Sequence, residues 1–174
     1  YGLPTWGYAG NTDSKTLDLQ AALEYFSVTL MGLLSGCNLL HDVGYLESGM
    51  TASCESIVFG NEVVEYARRL LQKVEVSEET LAVETIKRAG PGGMFLMEPH
   101  TVAHLRDFWH SRLIDRGRHS EWVDGGRKTM FDRLQERVRD LFSSHQAVPL
   151  DGSMARAIDD LILGRDSSAG SKDS

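Results

Sequence analysis

From Leu19 to Leu34 the apolar positions follow a helical beat. Leu19, Ala22, Leu23, Phe26, Leu30, Leu33 and Leu34 recur at spacings of three and four, which marks one apolar face. The pattern predicts a helix whose first turn begins at Ser14 or Lys15. Asp13 is the expected cap, because a short carboxylate accepts from exposed backbone N–H groups, and Gly36 is the expected stop. A strand of about four residues, Asn38 to His41, follows. Upstream, Gly2 to Tyr8 reads as another strand, with Pro4 near its start where a missing N–H is tolerated. Downstream, Ser53 or Glu55 opens a second helix to about Gln72. Strand, loop, helix, strand, loop, helix is the order of an α/β protein built around a parallel sheet.

The pattern changes after Lys73. Ser77 is placed to cap a helix to about Arg88, with Glu78 and Glu79 in its first turn. Gly90-Pro91-Gly92-Gly93 then breaks the chain. Met94 to Met97 reads as a short strand, Pro99 to Leu113 as a helix and Arg116 to Gly126 as a polar loop. A charge-rich helix from Lys128 to Phe142 is expected to be a solvated face with pairs four residues apart, and a short helix spans Met154 to Leu163. Ser167 to Ser174 is small and polar, the composition of a disordered terminus. Two regions are therefore expected, 1–145 and 146–174.

Composition narrows the classes. The chain has 174 residues, enough for a real core but short of the roughly 250 of a complete (β/α)8 barrel. It opens at Tyr1 without a methionine, and we read it as a piece of a longer protein whose N-terminal part is missing. The formal net charge of −7 argues against a nucleic-acid partner. The uncharged part of Tyr25 to Leu40 contains glycines and is shorter than the roughly 20 residues of a membrane span. Two cysteines, Cys37 and Cys54, have neither metal-pair spacing nor disulfide density, which suits a reducing cytosol.

The richest chemistry lies in Gly36 to Met50, GCNLLHDVGYLESGM, where an apolar run breaks into His41, Asp42, Tyr45 and Glu47. That is how a strand ending in a functional loop reads. His41 followed three residues later by Gly44 matches the second half of the cobalamin-ligating pattern DxHxxG. The aspartate that would orient the imidazole is Leu39, so His41 is not expected to ligate cobalt. An imidazole here suits a general acid, a general base or a hydrogen-bond donor, and equally a structural histidine at a strand end. The earlier loop, Tyr8 to Lys15, precedes a helix but has neither the Walker nor the dinucleotide register. It is expected to line a site without binding phosphate.

Trp6, Tyr8 and Tyr45 fall on the same two strand-end loops. With Asp42 and Glu47 nearby, they suit a quaternary ammonium, which donates no hydrogen bond and is held by cation–π and charge attraction; ordinary packing explains them as well. His100 and His104 share a helical face as in HExxH zinc sites. The glutamate is absent, His110 is off that face and Glu98 precedes the helix, so no metal is expected and His100 is read as satisfying groups at the helix start.

Three segments carry a resemblance: LPTWGYAGNTDSKTLDLQAALE, SGCNLLHDVGYLESGMTASCESIVFGNEVVEYARRLL and GGMFLMEPHTVAHLRDFWHSRLIDR. The DSK after the first strand, the GCN…G…LE…S…E run and the HT…H…W…DR…W…G pattern together resemble the C-terminal part of the trimethylamine methyltransferase family, from about Tyr1 to Leu141. The resemblance implies an α/β fold, the C-terminal portion of a TIM (β/α)8 barrel with additional C-terminal helices. It implies methyl transfer from a methylated amine to the Co(I) of a separate corrinoid protein, so the cofactor is a corrinoid carried by a partner and none is bound by this chain. The founding trimethylamine enzymes carry a pyrrolysine, and none is written here. If its position falls within this segment, the chain is similar to the branch associated with quaternary amines such as glycine betaine. On that resemblance Asp13 and Ser14 match the DSK loop, and His41, Tyr45 and Glu47 match the loop after the next strand. His41 is then a polar contact to substrate or corrinoid, with Tyr45 and Glu47 shaping a cation pocket, while Asp115, Arg116 and Trp122 pack around the barrel. The alternative is a non-catalytic piece that docks a corrinoid protein or self-associates into homo-oligomers through an uncovered sheet edge. A zinc-dependent methyltransferase on a similar barrel would need a ligand cluster that Cys37 and Cys54 do not provide.

Overall fold

Two parallel strands joined by one helix organise the first half of the chain. The computed structural model describes residues 1–164. β1 (Trp6–Tyr8) pairs with β2 (Leu39–His41) in parallel, Trp6 opposite Leu39 and Tyr8 opposite His41, and α1 (Leu19–Leu34) is the crossover. A small antiparallel pair, β3 (Tyr45–Leu46) with β4 (Thr51–Ala52), encloses a 3-10 turn at Glu47–Gly49 and leads into α2 (Cys54–Leu71). Short helices follow: α3 (Glu78–Leu81), α4 (Val83–Ala89), α5 (Pro99–His104) and α6 (His119–Asp124). α7 (Met130–Ser144) and α8 (Gly152–Ile162) complete the described residues. The chain divides into two compact units, Tyr1–Asp140 and a second from Leu141 onward, with the boundary inside α7.

The first unit has one core. Ala21 and Tyr25 from α1, Leu46 from β3, Phe59 and Val63 from α2, Leu113, and Leu134 from α7 are buried together. The rings of Tyr25 and Phe59 lie 5.5 Å apart at 48°. Beside this core the Glu62 carboxylate, 5 % exposed, accepts from the Ser111 hydroxyl. That hydroxyl in turn accepts from the N–H groups of Leu113 and Ile114, at 3.1 and 2.6 Å. Arg133 Nε donates to the Leu113 carbonyl at 2.7 Å and fixes α7 to the same turn. In the second unit, the Asp151 carboxylate caps α8 by accepting from Ser153 N–H at 2.9 Å. The Ser153 hydroxyl, which also donates to it, is the main reason that the carboxyl sits below its ordinary pKa.

Several expectations need correction. The cap of α1 is Asp18, whose Oδ1 accepts from Ala21 N–H at 3.0 Å. Asp13 is drawn away by its loop, so the helix starts at Leu19. The leucine face of α1 is not its buried face. Leu19 and Leu23 are 89 % and 69 % exposed, whereas Ala21, Tyr25 and Thr29 are all 0 % exposed. The helix expected from Ser77 to Arg88 breaks at Ala82. There φ is 51° and the N–H closes onto the Glu78 and Glu79 carbonyls as at a helix end. Met94 to Met97 has no strand partner among the described residues and turns instead. α5 stops at His104 rather than Leu113, because Trp109 stacks on Tyr66 at 5.4 Å and Ser111 is held by Glu62. The loop from Arg116 to Gly126 contains α6. On α7, Arg133 faces inward instead of solvent, and Lys128 reaches Glu136 at 2.7 Å. Trp122 donates to the Lys128 carbonyl at 2.9 Å. The tail from Ser167 lies outside the described residues. Among those described, no helix is long and apolar enough to cross a membrane.

α1 meets the strand pair through Gly32. A Cβ there would stand 2.8 Å from Leu40 Cδ2 and 2.9 Å from the Tyr8 carbonyl oxygen. Overpacking costs about 1–3 kcal/mol, while alanine for glycine in a helix interior returns about 1 kcal/mol. The Tyr8 carbonyl belongs to the ladder and cannot rotate away, so packing wins. Gly32→Ala should lower the unfolding free energy by about 1–2 kcal/mol in urea titrations, with the slope unchanged. Equal or higher stability would show that α1 does not approach the strands this closely.

Candidate functional site

The strand register creates the site. Residues two apart on a strand share a face, so Trp6 and Tyr8 project together, and pairing of Tyr8 with His41 adds the imidazole to the same face. The His41 ring lies 4.9 Å from Trp6, edge-on at 75°, and 4.8 Å from Tyr8, tilted at 48°. Trp6 and Tyr8 remain exposed and His41 is half-buried. Asp42 takes φ 68°, which brings its Oδ1 within 2.7 Å of His41 Nδ1. The carboxylate therefore holds the ring from one nitrogen and directs Nε2 away from it. The result is an open aromatic face with an oriented imidazole and an anionic edge.

The loops that end β1 and β2 are joined to each other residue by residue. Gly44 N–H donates to the Gly10 carbonyl at 3.1 Å, Glu47 N–H to Ser14 at 2.9 Å, and Ser48 N–H to Thr12 at 3.0 Å. The Ser48 hydroxyl donates to Asp13 Oδ1 at 2.6 Å. α1 supports both loops from beneath: the Thr29 hydroxyl accepts from Gly10 N–H at 3.0 Å, and the Tyr25 hydroxyl donates to the Tyr45 carbonyl at 2.8 Å. Burial pushes the Tyr25 phenol above its ordinary pKa, so it stays a donor. From α2, the Ser56 hydroxyl donates to the Gly44 carbonyl at 2.6 Å.

The structure thus gathers the sequence candidates into two groups. Trp6, Tyr8, His41 and Asp42 form one contact cluster. Asp13, Ser14, Tyr45 and Glu47 belong to the loop junction, where Glu47 and Tyr45 take part through their backbones. The Glu47 carboxylate is exposed and has no hydrogen-bond or ion-pair partner among the described residues. One acceptor in the junction, Asn11 Oδ1, is buried without a partner among the described residues.

Sequence reading missed Glu24, Thr12, Ser48 and Thr29. Glu24 Oε2 accepts from the Thr12 hydroxyl at 2.5 Å and from Asp13 N–H at 2.8 Å. These bonds, Thr12 first, hold its carboxyl below the usual range. The available signal was the spacing of Ala21, Tyr25 and Thr29, a second stripe four residues apart with two polar atoms on it.

The family profile described as "Trimethylamine methyltransferase (MTTB)" matches residues 1–170. This chain belongs to the trimethylamine methyltransferase family. It is 32 % identical to the trimethylamine methyltransferase of Desulfitobacterium hafniense over 162 residues, 93 % of the chain and 33 % of the relative. It is 36 % identical to that of Methanosarcina thermophila over 157 residues, 90 % and 32 % of the two lengths. A glycine betaine methyltransferase of Desulfitobacterium hafniense is 28 % identical over 172 residues, 98 % and 36 %. The chain spans about a third of the length of the curated relatives it matches.

In this family member the loop junction has a pH signature. Glu24 binds protons more weakly folded than unfolded, so its contribution is present above the ordinary carboxylate range and is lost as pH falls through its depressed folded value. Asp18, held down chiefly by Ala21 N–H, acts in the same direction. Hydrogen-exchange protection of the Asp13 amide should be high at neutral pH and fall in acid. Glu24→Gln should lower it severalfold at neutral pH and flatten the acid dependence. An unchanged protection profile in the variant would remove Glu24 from the junction.

Proposed function

We propose that the protein carrying this chain transfers a methyl group from a methylated amine, preferably a quaternary one, to a corrinoid held by a separate protein. The observation that carries this reading is the open face where Trp6 and Tyr8 flank His41 beside Asp42. A quaternary ammonium offers no N–H, so a site for it needs aromatic faces and negative charge instead of acceptors. Trp6, Tyr8 and Tyr45 supply the faces, and Asp42, Glu47 and Asp13 the charge. The family relationship supports methyl transfer, since its curated members are named for trimethylamine and glycine betaine.

The chain's residues suit positioning more than proton transfer. When the substrate's C–N bond breaks, its electron pair stays on nitrogen and a neutral tertiary amine leaves, so no acid is required. A corrinoid held by the partner protein would supply, as Co(I), the electron pair to which the methyl group goes. His41 departs from the cobalt-ligating pattern, because Leu39 stands where that pattern has its aspartate, and its ring lies against two aromatics. Its Nε2 is suited to orient the carboxylate of a betaine-type substrate or the corrinoid's edge. The aromatic cluster packs against the ammonium's methyl groups and orients one of them for transfer.

A barrel explains what this chain leaves uncovered. β1, α1 and β2 form one parallel βαβ unit, with α1 on one face and the aromatic cluster on the other. Barrel active sites lie where strand-end loops gather, as these two do. The exposed Leu19, Leu23 and Leu34 on α1 suit the flank of a neighbouring helix.

The test is methylation of Co(I)-corrinoid protein by the intact protein, followed spectroscopically with a panel of tertiary and quaternary amines. Turnover with one quaternary amine and none with trimethylamine is expected. Trp6→Ala should raise KM by about 2- to 30-fold, the value of one cation–π contact. His41→Ala and Glu47→Gln should lower kcat/KM. No methylation with any amine, with a corrinoid protein shown to be active, would reject the reading. Unchanged kinetics in all three variants would reject the site.

A further inference from the structure

We propose that Glu79, His100 and His104 form a binding site for a divalent transition metal, zinc by ligand chemistry, separate from the strand-end site. His100 and His104 are one turn apart on α5 with ring centroids 4.4 Å apart. The carboxylate that the sequence lacks on that helix comes from α3. Glu79 Oε1 lies 3.4 Å from His104 Nε2 and 3.8 Å from His100 Nε2. All three donor atoms fall within 4.8 Å of one another. Around a tetrahedral zinc with bonds of about 2.0–2.1 Å, donors stand about 3.3 Å apart. Two edges of the tetrahedron are therefore nearly formed, and side-chain rotation closes the third.

The outer shell is also in place. His104 Nδ1 is bonded to Asp107 Oδ2 at 2.5 Å. A carboxylate on the far nitrogen fixes the ring and directs the Nε2 lone pair toward Glu79, the arrangement found behind metal-ligating histidines. His100 Nε2 now contacts the Glu79 backbone carbonyl at 2.8 Å and would exchange that bond for the metal. The imidazoles are 23 % and 33 % exposed, which leaves an entry path. Two imidazoles and one carboxylate favour zinc over the hard, oxygen-seeking cations, and the fourth position is left for water or a further donor. The bound ion would fasten α3 to α5 across the Gly90-Pro91-Gly92-Gly93 breaker, where the Arg88–Glu98 pair at 2.6 Å already joins the flanks. The competing account is a charged His104 paired with Asp107 and Glu79, which requires no metal.

Zinc titration of the chelator-treated intact protein by calorimetry, with Co(II) absorption as a second readout, distinguishes the two. One zinc equivalent should bind and be lost in His104→Ala, with Glu79→Gln also weakened. Asp107→Asn should weaken binding by about 10- to 100-fold. His119→Ala, on α6, should bind as the unaltered protein does. His100→Ala gives the same reading should His104→Ala disturb the fold, which circular dichroism would reveal. No saturable zinc binding by the unaltered protein overturns the proposal. Equal zinc affinity in the folded His100 or His104 variant overturns it as well.

Discussion

The first half of this chain depends on one stripe of α1. Ala21, Tyr25 and Thr29 are fully buried at four-residue spacing. Alanine lets the helix approach, and the two polar residues place hydroxyls where the ends of β1 and β2 need partners. Thr29 takes the Gly10 amide, and Tyr25 caps the Tyr45 carbonyl. A buried backbone group without a partner costs about 1–3 kcal/mol, so these bonds matter more for what their loss would expose than for their net strength. They make the strand ends, where the proposed site lies, a continuation of the core.

That constraint explains an apparent inversion of apolar and polar surfaces. The helix buries a tyrosine and a threonine yet leaves Leu19 and Leu23 open. Both faces of the βαβ unit carry exposed apolar groups: leucines on the helix side, Trp6 and Tyr8 on the other. Within a barrel of the proposed kind the two faces have different neighbours. Helices cover the leucines, while the aromatics face the lumen and the substrate. In this reading, Asp42 and His41 give the lumen side its polarity and direction.

Much of this was legible in sequence and some was not, for physical reasons. β2 and α2 were read closely because period, caps and turn residues agree there, while β1 is shorter than the strand expected from Gly2. Ser53, one of the two expected openers, caps α2, with Ser56 completing the reciprocal pair. α1 was placed too early because Asp13 has the chemistry of a cap but a stronger engagement elsewhere, with Ser48 from a loop 35 residues away. Its buried face was misread because leucine spacing measures apolarity, and which stripe is buried depends on neighbours that a local pattern does not contain. The Trp6, Tyr8 and His41 assembly was half-visible: the residues were singled out, but their contact follows from register. Glu79 was invisible as a companion to His100 and His104 because its approach depends on the left-handed turn at Ala82.

Three of the five non-glycine residues with positive φ among the described residues fall in the loop after β2. Asp42, Glu47 and Ser48 all have positive φ, at 68°, 51° and 54°. For residues with a Cβ, such conformations cost about 1–3 kcal/mol each and persist only where surrounding structure holds them. Here the holding groups are identifiable. Glu47 and Ser48 are fixed by their amides on Ser14 and Thr12, and Ser48 again by Asp13. Glycine would relieve the strain at position 42 but remove the carboxylate that orients His41. At position 47 it would remove an exposed charge with no structural partner among the described residues. Aspartate and glutamate stand at conformations that glycine adopts more readily, and the two-loop junction bears that cost. On the proposed reading, Asp42 is the orienter of His41 and Glu47 an exposed charge available to a cation.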